Sequence, residues 1–341
     1  MINILYCFDE AYNKVALTSI KSLTENINTP ITFYIIHRNP ESIDSKLVEI
    51  RNYQYVHQVF VYKFDNKKIS FPNTVNRHVS EATYYRLFIE DYLPKNIDNL
   101  LYLDADVVCV NNPKNEIESI FLELNHSEKT CAASTEFTSN NTGINVFTRL
   151  SLSNNKYFNA GVLFINYKKW LENNIKDYSL DIIKNSKVDL EFWDQDILNK
   201  YYDGNYFEIS KNMNYRSISK IESNNFQNIK FYHYVGSVKP WTIKGINDIN
   251  SKHYQHYYLK IYGKYHLINT WRASSVYYLI KLFFSFKFIY LEKKLLFIKN
   301  AIEVYLKILN NEKNIYHRSN FISRKIIYKI QSRIEVFCTP E

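Results

Sequence analysis

The chain has 341 residues, 46% of them hydrophobic and 16% aromatic, which supplies a large buried core and excludes a disordered or fibrous protein. A formal net charge of +9 admits nucleic acid, anionic lipid or an acidic small molecule as partner, so the position of the charge has to decide among them. With only 6 Gly and 7 Pro and no repeat or linker, boundaries must be read from changes in pattern, and one main domain with an extension is expected.

Ile2 to Phe8 is an apolar run ending at Asp9 and Glu10, and Val15, Ala16, Ser19, Ile20 and Leu23 then recur at helical spacing. "ITFYIIH" (Ile31 to His37) is β-branched and aromatic, the segment through Ile50 has helical spacing, and "HQVFVYKF" (His57 to Phe64) resembles a further strand. This alternation predicts an α/β fold, a mainly parallel sheet covered by helices, with ligands bound beyond the carboxyl ends of the strands. No GxGxxG or Walker loop occurs, so a phosphate ligand needs another device, of which a metal ion is the obvious one. The opening segment lacks the basic and small-residue marks of a signal peptide, so secretion is not expected. The four cysteines, Cys7, Cys109, Cys131 and Cys338, show no CxxC spacing and are expected to be reduced thiols of a cytosolic protein.

In "EATYYRLFIEDYLP", Tyr84, Leu87, Phe88 and Leu93 fall at helical intervals, and Arg86 could pair with Glu90 one turn on. "NLLYLDADVVCV" follows, with Asp104 and Asp106 inside an apolar run. A carboxylate is costly to desolvate without compensation, so something positive is expected beside this pair. Read as a strand, the run puts Asp104 and Asp106 on one face, where two hard oxygens suit a divalent ion such as magnesium or manganese.

Five motifs come in order: "ATYYRL" (Ala82 to Leu87), "YLDADVV" (Tyr102 to Val108), "FNAGVLFINYKKW" (Phe158 to Trp170), "DQDILN" (Asp194 to Asn199) and "HYVGSVKPW" (His233 to Trp241). In this arrangement residues 1 to 260 closely resemble glycosyltransferase family 8, a group of retaining sugar transferases. The resemblance implies a GT-A fold (Rossmann-like, mixed and mainly parallel) and a UDP-hexose donor bound through manganese, with magnesium as the alternative. By resemblance, Asp104, Asp106 and His233 are the metal ligands, and Lys239 contacts the diphosphate where Gly236 lets backbone approach. Asp9 and Tyr12 belong to the uridine segment, Ala105 to the donor site, and Asn159, Ala160 and Gly161 to the sugar pocket. Asp194 and Gln195 would lie beside the anomeric carbon, with Arg86 and Asp194 orienting the donor. Two positions depart from the family: Ala11 stands where Asn is usual, and Glu136 replaces a shorter acidic residue.

Beyond about residue 265 the chain becomes apolar and basic, with Lys281, Lys287 and Lys294 at steps near two helical turns. Boundaries are therefore set at 1–265 for the catalytic domain and 266–341 for a basic helical extension. No apolar run is long enough to span a bilayer, so the extension is expected either to lie at an anionic membrane surface or to pack on the core. The surplus charge gathers here rather than around the motifs, so no nucleic-acid partner is expected. The reading is a hexosyltransferase moving galactose or glucose to a saccharide or lipid-linked acceptor such as lipopolysaccharide. It would work in the cytoplasm, peripherally on the inner face of the cytoplasmic membrane. The rivals are a protein-acceptor transferase, a non-catalytic sugar-nucleotide-binding protein, and a metal hydrolase of phosphate esters, in which "FNAGVLFIN" would have no role.

Overall fold

A computed structural model describes residues 1–43, 49–65, 69–72, 80–139, 145–185, 188–216, 223–236, 238–242, 245, 248, 250–266 and 281–290, with isolated positions 294, 295, 298, 299 and 302. The expected helical segment before Ile50 therefore lies partly outside the described residues, as do Cys338 and most of the basic extension. The described cysteines, Cys7, Cys109 and Cys131, are buried free thiols.

The sheet is built on β1 (Ile2–Phe8), β2 (Ile31–His37) and β3 (Val56–Lys63), followed by β4 (Asn99–Leu103), β5 (Val107–Cys109), β6 (Cys131–Thr138), β7 (Lys156–Asn166) and β8 (Phe207–Glu208). Seven of these form one sheet in the order β3-β2-β1-β4-β7-β6-β8. β1, β2, β3 and β4 run parallel, while β7 is antiparallel to both β4 and β6. β1 and β2 read as unbroken apolar runs because both faces of the sheet are covered, and every residue of β2 is buried. A second sheet, β5-β10-β9, contains β9 (Tyr215–Arg216) and β10 (Phe231–His233).

One face of the main sheet packs against residues 81–91, α3 (Ile175–Asn185) and α4 (Trp193–Tyr202), in a core including Tyr84, Leu87, Phe88, Trp170, Ile197 and Leu198. The remaining helices used below are α1 (Asn13–Asn26), α2 (Lys114–His126) and α5 (Ser251–Tyr262). The segment Glu81–Asp91 buries the face expected from its spacing, but it is a 3-10 helix with a kink at Phe88. Side chains three apart eclipse in a 3-10 helix, so Thr83 and Arg86 reach the same carboxylate, that of Asp194.

The chain divides into two compact units, residues 1–235 with 256–264, and residues 236–255 with 265–341. In the first unit, Asn26 on α1 donates to the Tyr257 hydroxyl (2.7 Å) on the latter part of α5. In the second, Gln255 clamps backbone groups of Pro240 and His266, and the Trp241 and Tyr254 rings pack 5.0 Å apart. Among the described residues no helix is long and apolar enough to cross a membrane.

Candidate active site

The site is assembled where β4 leaves the main sheet. β4 stops at Leu103, and Asp104 to Val107 form a turn closed by the Val107 amide donating to the Asp104 carbonyl (3.1 Å). β5 then enters the second sheet, antiparallel to β10 with Val107 opposite His233. Asp104 and Asp106 therefore converge through a turn between two sheets, not through alternation along one strand. The apolar run is two strands because its two halves pair with different partners, β1 and β7 on one side and β10 on the other.

One ligand-capable atom from each of Asp104, Asp106 and His233 lies within 4.8 Å of the other two. His233 Nε2 is 3.3 Å from Asp106 Oδ1 and 3.6 Å from Asp104 Oδ2. Neighbouring ligands about 2.1 Å from one octahedral ion stand about 3 Å apart, so the cluster is close to the spacing a cation would impose. Two hard oxygens and an imidazole suit manganese or magnesium, with the nitrogen favouring manganese. Gly161 is part of the fit: a Cβ at this position would come within 2.1 Å of His233 Cε1 and 2.9 Å of Asp104 Oδ2. Only a residue without a side chain lets β7 run so close behind the cluster.

Arg86 lies beneath, 5% exposed, with every nitrogen engaged. Nε pairs with Asp194 (2.7 Å), Nη2 with Asp104 Oδ1 (3.1 Å), Nη1 donates to the Ala160 carbonyl, and the guanidinium stacks 4.0 Å over the Tyr102 ring. The Tyr102 hydroxyl donates to the same Asp104 oxygen (2.6 Å), which leaves Oδ2 turned toward His233. Glu90, the partner expected one turn away, pairs instead with Lys176 (3.4 Å). Arg86 thus holds Asp104 directly, through Nη2. Two carboxylates, Asp104 and Asp194, share one guanidinium. Burial pushes the Asp194 carboxyl up to about 6, against the opposing pull of Arg86 and the Thr83 hydroxyl.

β7 supplies the next layer. Its register with β6 slips between Ala132 and Ser134, opposite Asn159 to Phe164, so backbone groups at Ala160 and Gly161 are satisfied from elsewhere. The Ala160 amide donates to Gln195 Oε1 (2.9 Å), the Gly161 amide to Asn159 Oδ1 (3.0 Å), and the Gly161 carbonyl accepts from the Asp104 amide (2.8 Å). Gln195 stands in the first turn of α4, and its Nε2 donates to Glu136 Oε2 (3.1 Å) and the Tyr157 hydroxyl (3.2 Å). Asn159 Nδ2 reaches the same Glu136 oxygen (3.0 Å). On the far side, Asn214 Oδ1 lies 3.0 Å from His233 Nδ1, and Asn214 Nδ2 donates to Asn159 Oδ1 (2.9 Å).

Arg86, Asp104, Asp106, Asn159, Ala160, Gly161, Asp194, Gln195 and His233 thus form one bonded set. Ala105 is buried in the turn between the two aspartates. Asp9 and Tyr12 follow β1, on the same sheet edge, where Asp9 Oδ1 caps the turn at Ala11 (3.1 Å). Gly236 and Lys239 belong to the second unit, where Gly236 takes φ +72° and the Lys239 carbonyl closes a turn onto Thr242. Sequence reasoning missed Thr83, Tyr102, Tyr157 and Asn214, which carry no local pattern that would mark them.

A family model described as Glycosyl transferase family 8 matches residues 3–245. The lipopolysaccharide 1,3-galactosyltransferase of Salmonella typhimurium is 29% identical over 255 residues, 70% of this chain and 72% of its own. A lipopolysaccharide 1,2-glucosyltransferase of Escherichia coli is 28% identical over 256 residues, 70% of this chain and 73% of its own. Among solved structures, the galactosyltransferase LgtC, in complex with donor and acceptor sugar analogues, matches with a TM-score of 0.61 at 22% identity, covering 80% of this chain and 98% of LgtC. The glycosyltransferase GlyE of Streptococcus pneumoniae matches with a TM-score of 0.55 at 22% identity, covering 76% and 61%. The chain belongs to glycosyl transferase family 8 and is a retaining glycosyltransferase.

Proposed function

We propose that the protein transfers a hexose, galactose or glucose, from a UDP-sugar to a saccharide acceptor of the lipopolysaccharide or lipooligosaccharide type. The observation that carries this reading is the Asp104, Asp106 and His233 cluster, backed by Gly161, in a family 8 chain whose relatives include lipopolysaccharide galactosyl- and glucosyltransferases. Manganese held there would supply positive charge to the diphosphate as it departs.

The remaining work falls to this chain's own residues. Arg86 and Tyr102 hold Asp104 in one rotamer, and Asp194 in turn holds Arg86. Lys239 is assigned to the diphosphate, Gly236 to its close backbone approach, and Asp9, Tyr12 and Ala105 to the donor nucleotide. Asn159, Ala160 and Gly161 line the sugar pocket. A retaining hydrolase needs a carboxylate nucleophile, whereas the residue assigned to the reacting carbon is Gln195, an amide tied at both ends. This supports front-face attack by the acceptor hydroxyl through an oxocarbenium-like state, with the departing phosphate oxygen taking the proton.

We assign catalysis to residues 1–265 and membrane association to 266–341. In the described part of that extension Phe284, Phe286 and Ile289 are 69%, 67% and 52% exposed, beside the exposed Lys281. Apolar side chains next to lysine suit the headgroup region of an anionic bilayer, on the cytoplasmic face. The experiment is a panel of nucleotide sugars assayed for manganese-dependent hydrolysis and for transfer to lipid-linked saccharide and to protein. Turnover of a UDP-hexose into the saccharide supports the reading, and full activity in EDTA overturns its metal dependence. For the membrane, replacing Phe284 and Phe286 by Ser should release the full chain from anionic vesicles, and unchanged sedimentation refutes the assignment.

A further inference from the structure

The hydrogen-bond directions behind the cluster are forced, and they start from a backbone group whose polarity is fixed. The Gly161 amide can only donate, so the atom it meets, Asn159 Oδ1 at 3.0 Å, is an acceptor. Asn159 therefore presents its NH2 to Glu136 Oε2, and the carboxylate accepts it. Asn214 meets Asn159 Oδ1 at 2.9 Å and must do so through its own NH2, which turns Asn214 Oδ1 to His233. An amide oxygen there requires a proton on His233 Nδ1. In the neutral ring, Nε2 is then left bare, facing Asp104 and Asp106.

We propose that Asn214 is a positioning residue that sets the tautomer of His233 and links the metal cluster to the sugar pocket. This rests on the reading of the cluster as a divalent-cation site. Asn214 and His233 are 1% and 3% exposed, so water does not compete for the bond. With Nδ1 turned to Asn214, Nε2 is the ring nitrogen that faces Asp104 and Asp106 and the one a cation between them would take. The hydrogen bond from the other nitrogen orients the ring, and loss of such support typically weakens metal binding about 10- to 100-fold. The same Asn159 that fixes Asn214 also holds Glu136, which accepts from Gln195 as well. The relay therefore runs from His233 through Asn214, Asn159 and Glu136 to the amide assigned to the reacting carbon.

The full-length protein tests this in two measurements. Nitrogen-15 correlation spectra of histidine-labelled wild type, with His233 assigned by comparison with His233→Gln, should show the neutral ring protonated at Nδ1. A neutral ring protonated at Nε2 and not at Nδ1 overturns the relay whatever binds the cluster. Manganese titration followed by electron paramagnetic resonance should then show Asn214→Leu binding about 10- to 100-fold more weakly than wild type, at unchanged far-UV circular dichroism. Asn214→Asp, which still offers His233 an acceptor but sets an oxygen against Asn159 Oδ1, should bind manganese more tightly than Asn214→Leu. Equal affinity in wild type and Asn214→Leu overturns the proposal. Failure of the wild type to bind manganese, with His233 protonated at Nδ1, would instead sink the cation-site reading.

Discussion

Two buried carboxylates at either end of the polar network behave differently. Asp196, 0% exposed, is fully compensated: Arg149 grips it through both Nη atoms (2.7 and 3.1 Å), the Tyr157 hydroxyl donates at 2.8 Å, and the Phe192 amide donates at 2.9 Å. Asp106, 7% exposed, faces a histidine nitrogen and stands near a second carboxylate. The first arrangement is closed and holds α4 to β7, whereas the second gathers two carboxylates and an imidazole whose ligand-capable atoms lie within 4.8 Å of one another. A buried acid matched by a guanidinium marks structure, and ligand-capable atoms gathered at one point mark a place for a cation.

The comparison is broken most sharply by exchanging each acid for its amide. Asp106→Asn should lower transfer at least ~10²-fold, as loss of a main electrostatic contact does, while the melting temperature hardly moves. Asp196→Asn should do the reverse, destabilising by about 3 kcal/mol because Arg149 loses its buried partner, as read by denaturant unfolding. If both variants lose only activity, or both lose only stability, the distinction fails.

Gly161→Ala comes next. A methyl group there collides with the His233 ring, and a displacement of about 1 Å at a reacting centre costs ~10²-fold in rate. The fold should persist, since the ring can swing aside. Steady-state kinetics at saturating manganese would check this, and wild-type rates would show that β7 lies farther from the cluster.

A smaller effect concerns pH. Asp194 has its pKa raised to about 6, so acidification through that value protonates it and loosens its hold on Arg86. Turnover should fall as pH drops through about 6, and Asp194→Asn should lack that limb. Stability responds with the opposite sign: for a raised pKa the group's contribution is fully present below its ordinary value of 3.8 and lost as pH rises through about 6. The melting temperature of wild type minus that of Asp194→Asn should therefore grow between pH 6 and pH 4.

Much of this was legible in the sequence. Strand and helix alternation gave the sheet, and the spacing of Tyr84, Leu87 and Phe88 gave the buried face of residues 81–91. The family resemblance implies Asp104, Asp106 and His233 as one cluster, and their ligand-capable atoms do lie within 4.8 Å of one another. Other features depend on pairing between distant segments and leave no local trace. Asn214 reaches His233 because β9 runs parallel to β10, with Tyr215 opposite Tyr232. The break between β4 and β5 was hidden because both halves are equally apolar and only their partners differ. Arg86 looked like a helical ion pair because Glu90 sits at the right interval, yet the 3-10 geometry turns it toward Asp194.

The central claim is that Asp104, Asp106 and His233 jointly hold a divalent cation against a nucleotide diphosphate. Crystals grown with manganese and UDP, measured at the manganese edge, would test it most directly. One anomalous peak touching all three side chains and the diphosphate is the predicted result. Bound UDP with no peak there, or a peak held by other residues, would contradict it.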